Sequence, residues 1–130
     1  MNDFTSVSKL EATFVTKYFM NAHELIMMLP ERYQPDLLEG EINSLIHIIL
    51  TNELDEVKSY SVRLENEKCT VSEFLQGEPN CTIKANDTDY ADVELGKANA
   101  QWALLTGKIS CDNLFELVRF IGFFKRMNIE

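Results

Sequence analysis

Basic residues are scarce. The chain carries 12 Lys and Arg against 21 Asp and Glu, a formal net charge of −9. Affinity for nucleic acid comes largely from cations meeting phosphates, so this balance argues against a nucleic-acid partner and none is expected. It also argues against an anionic membrane surface gripped by overall charge; Lys125-Arg126 is a small local exception. Cysteine is rare and odd in number. Cys69, Cys81 and Cys111 show neither metal nor redox spacing, which leaves no disulfide framework and reads as free thiols in strand-like stretches. No apolar run approaches the roughly 20 residues that cross a bilayer, so no stable membrane insertion is expected. The start, MNDFTSVSKLEATF, lacks a basic segment followed by an apolar core, so no secretory signal is read and a cytoplasmic location is the expectation. Five glycines and three prolines form no low-complexity linker, and there is no internal repeat.

What is present describes an ordinary globular chain. With 130 residues, 45% hydrophobic and 25% charged, it reads as one domain able to bury roughly two-thirds of its unfolded surface. The stretch VELGKANAQWALLTGKIS holds two Gly-Lys pairs, at Gly96 and Gly107. Neither is a phosphate loop. That motif needs a glycine five residues before Gly-Lys and a hydroxyl after it, whereas Trp102 stands at the first place and Ile109 at the second. The alternative is architectural. Asp87 and Asn99 are positioned to cap two short helices, and Gly96 and Gly107 stand where helices stop through a left-handed residue.

Upstream, Val7, Leu10, Phe14, Tyr18, Ala22, Leu25 and Leu29 share a face and predict helix over residues 6–29. Asn21 with Glu24 resembles a capping box that restarts it. SLIHIILT, from Ser44 to Thr51, is apolar on both sides and predicts a central strand. Val57–Glu65 alternates, Asn66-Glu67 offers a tight turn into Cys69–Leu75, and further strands are expected at Cys81–Ala85 and Lys108–Cys111. This alternation predicts a sheet with one buried and one wet face. A last helix is expected over Leu114–Met127, with Leu114, Leu117, Val118, Ile121 and Phe124 as its core stripe. Phe120 falls at the margin, while Phe115 and Phe123 lie off the stripe. Off-stripe phenylalanines belong to a ligand cavity wall or to a subunit contact.

The residues present no catalytic constellation. His23 and His47 lack converging metal partners, and the acidic residues form no evident acid–base couple. Met20, Met27 and Met28 suit an adaptable pocket or an ordinary core. Trp102 needs a partner for its indole N–H if buried.

NCTIKANDTDYADVELGKANAQWALLTGKIS resembles the C-terminal half of the type 2 sterol carrier protein family. The shared features are a strand with a Thr-Ile step, a capped helix ending at Gly-Lys, an Asn-started helix, and a second Gly-Lys before a strand and a C-terminal helix. SVRLENEKCTV resembles the family's hairpin, and LPERYQPDLLEGEINSLIHIIL its entry into the first strand. The likeness covers roughly residues 20–125 in order, with residues 1–20 as an N-terminal helical extension of a single domain spanning 1–130. Departures are Ala100 where Pro is frequent after Asn, Asn113 where Gly usually precedes the last helix, and Asn66-Glu67 where a Gly-containing turn would be stronger.

The resemblance implies an α+β fold, a single five-stranded, mostly antiparallel sheet covered on one face by helices, with an apolar tunnel between them. It implies that Leu114, Phe115, Val118 and Phe123 line or gate the tunnel, that Trp102 and Leu105 close one side, and that Phe74 and Ile83 form the sheet-side wall. Gln101 matches a glutamine of the family motif, and the resemblance makes it a candidate polar contact. The implied function is non-catalytic binding or transfer of an apolar lipid (fatty acyl chain, acyl-CoA, phospholipid or sterol) with no cofactor. The alternative is an interaction module that forms a homodimer or docks on a protein through Phe115, Phe120 and Phe123. An enzyme built on Cys111 or His47 ranks below both.

Overall fold

The structure is a computed structural model that describes residues 20–37 and 40–127. The helix expected before Met20 lies outside the described residues. Asn21 caps helix α1 (Ala22–Met27) through a complete capping box. Its side-chain oxygen accepts from the Glu24 N–H at 2.8 Å, and the Glu24 carboxylate accepts from the Asn21 N–H at 3.0 Å. Pro30 does not end helical structure. Met28 forms a turn, and a second short helix, α2 (Leu29–Arg32), continues through the proline near its own start, where the missing N–H costs nothing.

The sheet follows with β1 (Asn43–Thr51), β2 (Val57–Glu65), β3 (Lys68–Ser72), β4 (Cys81–Asn86) and β5 (Ile109–Cys111). Its order is β3-β2-β1-β4-β5, so the strand that is apolar on both sides is the central one. All neighbours pair antiparallel except β1 and β4, which run parallel. Asn66 takes the left-handed conformation (φ 50°) that the two-residue β2–β3 turn requires.

Register settles the two faces. Ile46, Ile48 and Leu50 of β1 stand level with Val62, Tyr60 and Lys58 of β2 and with Cys81, Ile83 and Ala85 of β4. Apart from Lys58, these residues belong to the buried core, together with Leu25, Ile26, Tyr90, Leu95, Ala103, Leu117 and Phe120 from the helices. The opposite face is not simply wet. The crossover from β3 to β4, residues 73–80, passes over it and buries Leu45, His47 and Ser61. The Ser61 hydroxyl donates to the Phe74 carbonyl at 2.7 Å and accepts from the Gln76 N–H at 3.0 Å. His47 Nε2 lies 2.8 Å from the Gln76 carbonyl.

Three helices complete the covered face: α3 (Asp87–Glu94), α4 (Ala100–Leu105) and α5 (Leu114–Ile121). The cap of α3 is Asn86, whose side chain accepts from the Thr88 N–H at 2.9 Å, rather than Asp87, which is already helical. Asn99 caps α4 through the Trp102 N–H. Gly96 and Gly107 follow the ends of α3 and α4 at φ 79° and 80°. Asn113 is extended (φ −149°), not left-handed. It caps α5 through the Glu116 N–H and donates to the Asn80 carbonyl at 3.0 Å. α5 ends at Ile121, shorter than expected. The backbone then bridges back, Phe124 pairing with Tyr33 and the Lys125 N–H donating to the Arg32 carbonyl. Arg32 closes this junction. Its guanidinium meets Glu94 at 3.0 Å and donates to the Lys125 carbonyl at 2.9 Å.

Candidate functional site

The nine residues expected to bind ligand distribute unevenly. Ile83 is buried on the helix-facing side of the sheet. Phe74 sits on the crossover over the opposite face, as its carbonyl bond to Ser61 shows, so it shares no wall with Ile83. Leu114, Phe115 and Val118 lie together on α5, and Trp102 and Leu105 on α4. All five are exposed, Phe115 by 79%. Gln101 is exposed, and Phe123 is half-buried where α5 turns back.

The α5 stripe differs from the expected one. Leu117 and Phe120, with Phe124 beyond the helix, face the core; Leu114, Val118 and Ile121 face out with Phe115. Side chains three and four apart share a helix face. Ile121, three residues after Val118 and seven after Leu114, therefore extends the exposed apolar face. Its spacing was visible in the sequence, but its orientation was not. Apolar residues consequently cover more than half of the circumference of α5, leaving Glu116 and Arg119 as its polar side, joined at 3.0 Å. An apolar face of this kind, uncovered among the described residues, suits an oily ligand or an apolar partner.

Between helices and sheet the described side chains are closely packed. Leu25, Ile26, Ile46, Ile48, Tyr60, Val62, Leu64, Cys81 and Leu95 are all essentially inaccessible. A cleft of about 140 Å³ opens at the end of the sheet beside Asn21, His23, Asn52, Lys58, Tyr60 and Asp87, and it is half polar. A second, of about 300 Å³, is a shallow opening over Thr82, Lys84, Ser110, Cys111 and Asp112 near the β4–β5 edge.

Sequence reasoning missed a polar cluster at the first cleft. His23 Nδ1 is 2.8 Å from the Tyr60 hydroxyl and 3.9 Å from the Glu73 carboxylate. Burial, with the negative charges of Glu73 and Asp87, pushes the Tyr60 phenol upward. It therefore stays protonated at neutral pH and ties α1 to the sheet. Burial also pushes the thiols up, Cys81 to about 11 and Cys69 to about 12. A thiolate nucleophile at neutral pH is unavailable at either. Cys111 pairs in register with Ile83 and so points to the helix side, whereas His47 points to the crossover side. These two cannot form a catalytic couple. No group of three or more His, Cys, Asp or Glu able to hold a metal ion occurs among the described residues. No helix among them is long and apolar enough to cross a membrane.

A family model described as the SCP-2 sterol transfer family matches residues 29–112. No curated protein matches the chain. Among solved structures, sterol carrier protein 2 from Yarrowia lipolytica (apo form) is similar at 25% identity and a TM-score of 0.51, over 58% of this chain and 67% of that one. Palmitated SCP2L2 from Aedes aegypti is similar at 16% identity and a TM-score of 0.62, over 84% of this chain and all of that one. The sec-alkylsulfatase Pisa1 from Pseudomonas sp. shares the fold at 17% identity and a TM-score of 0.60, but the chain spans only 16% of its length.

Proposed function

The chain belongs to the SCP-2 sterol transfer family, whose model matches well over half of it, and from that membership we propose that it binds and transfers an apolar lipid without reacting on it. The observation that carries this reading is α5. It is apolar both where it meets the sheet, at Leu117 and Phe120, and where it faces out, at Leu114, Phe115, Val118 and Ile121. A helix with a single buried stripe has no need of the second set. A helix apolar over most of its girth can lift from the sheet and keep apolar contact with an acyl chain laid beneath it. Ile83 supplies the sheet side of that space, Phe123 the hinge at its end, and Trp102 and Leu105 of α4 extend the surface. Gln101, exposed at the start of α4, is a polar contact at the rim.

The energetics favour this. Burying a methylene is worth ~0.8 kcal/mol, so a 14-carbon chain gains about 11 kcal/mol gross. Ordering and association costs remove several of these. Micromolar affinity then needs no ion pair with the ligand.

The packed layer and the exposed Phe115 also favour a second reading, an interaction module that buries the outer face of α5 against a protein. Native mass spectrometry of the purified chain, followed by organic extraction, separates the two. A co-purified lipid near one per chain is expected. A ligand-free protein that takes up no fluorescent fatty acid and runs as a dimer would establish the interaction module instead.

A further inference from the structure

Charge is not spread evenly along the chain. Residues 97–127 hold Lys97, Lys108, Arg119, Lys125 and Arg126 against Asp112 and Glu116, a balance of +3 in a chain of −9, so the remainder carries −12. The same stretch holds most of the large apolar residues left outside the core. Trp102 and Leu105 on α4, and Leu114, Phe115, Val118 and Ile121 on α5, are each more than half exposed. Ala103 and Leu117 turn inward to one core, so the exposed side chains of both helices point away from it. Each helix runs on into cations, α4 to Lys108 and α5 to Lys125 and Arg126. All three are exposed and form no ion pair among the described residues. Helix α3, with Asp87, Asp89 and Asp92, adjoins α4 and bounds the basic region there.

We infer that this face docks the protein on the surface of an anionic phospholipid bilayer. Trp102 and Phe115 enter the headgroup layer, and Lys108, Lys125 and Arg126 meet the lipid phosphates. This goes beyond the lipid-binding reading and needs no bound lipid. Apolar side chains that include a tryptophan and are fringed by Lys and Arg have the chemistry of a membrane interface. Exposed charges are screened beyond ~8 Å at physiological salt, so the cations beside the face count and the acidic total counts little. A second copy fits worse, because a two-fold contact would set this basic face against itself. A partner helix needs a groove, and neither cleft described above includes a residue of α4 or α5.

Trp102 is the only tryptophan, so its fluorescence reports on this face alone. The test mixes the full chain with phosphatidylcholine vesicles, with or without about one-third phosphatidylserine, and measures co-sedimentation and Trp102 emission. Anionic vesicles are expected to carry the protein down and shift the emission to the blue. Neutral vesicles and high salt should do neither. Lys108→Gln and Arg126→Gln should each weaken binding about fivefold, the share of one cation near an anionic surface. No sedimentation, sedimentation without a Trp102 shift, equal binding to neutral vesicles, or binding insensitive to both substitutions overturns the proposal. So does a Trp102 already shielded from acrylamide without vesicles, which would show the face to be covered. The lipid-binding reading fails separately, on the co-purified lipid measured by native mass spectrometry.

Discussion

At Gly77 the crossover presses on the sheet it covers. Its φ is +70°, and a Cβ there would lie 2.9 Å from Leu45 Cδ2 and 3.4 Å from Arg63 Nη2. Gly107 has φ +80° and open space around it. The two positions separate strain from crowding. Gly107→Ala should cost only the left-handed penalty, about 1 kcal/mol. Gly77→Ala adds overpacking and should cost about 3 kcal/mol. Urea denaturation of the two variants checks this, and equal losses would contradict the close approach. Gly107 was readable as a helix stop because its neighbours form a local pattern, an Asn cap followed by apolar helix. Gly77 was not, because what makes it necessary is Leu45, distant in sequence and brought beneath it by the crossover.

Among the elements, β1 and α5 differ in how far sequence determines them. β1 is apolar on both sides and runs at the centre of the sheet, with its second face covered by the crossover. For α5 the pattern predicts a helix but not its rotation, since apolar residues occupy most of its circumference. Docking selects Leu117, Phe120 and Phe124 for the core and leaves Leu114, Phe115, Val118 and Ile121 outside. Paired substitutions exploit this. Leu117→Asp places a charge in the core and should destabilise by about 3 kcal/mol or more. Phe115→Asp, on the open side, should change stability by no more than about 0.5 kcal/mol yet reduce lipid uptake several-fold. Thermal melts and a fluorescent fatty-acid titration read the two effects. Undiminished uptake by Phe115→Asp would remove the outer face of α5 from the binding surface.

For the molecule as a whole, alkaline pH is the sensitive direction. Burial raises the thiols of Cys81 and Cys69 from an ordinary value near 9.0 to about 11 and about 12, and it raises the phenols of Tyr60 and Tyr90. Below pH 9 both the folded and unfolded chains keep these protons, so the full stability is present. Above it the unfolded chain ionises first, and stability falls until the folded groups follow. The urea midpoint should therefore be lower at pH 11 than at pH 8, and a flat profile between them would show these groups to be accessible. What the sequence determined by itself is what short-range physics encodes: strand alternation, Asn caps, glycine stops and the absence of any metal or nucleophile spacing. Together with the family resemblance, these place the five strands and the helices α1, α3, α4 and α5 close to where they occur, but not the short helix Leu29–Arg32 or the helical turn Pro35–Leu37. What only the tertiary structure decided is which residues share a space. The parallel pairing of β1 with β4, the crossover that parts Phe74 from Ile83 and the rotation of α5 all depend on contacts between distant segments, and no local pattern carries that information.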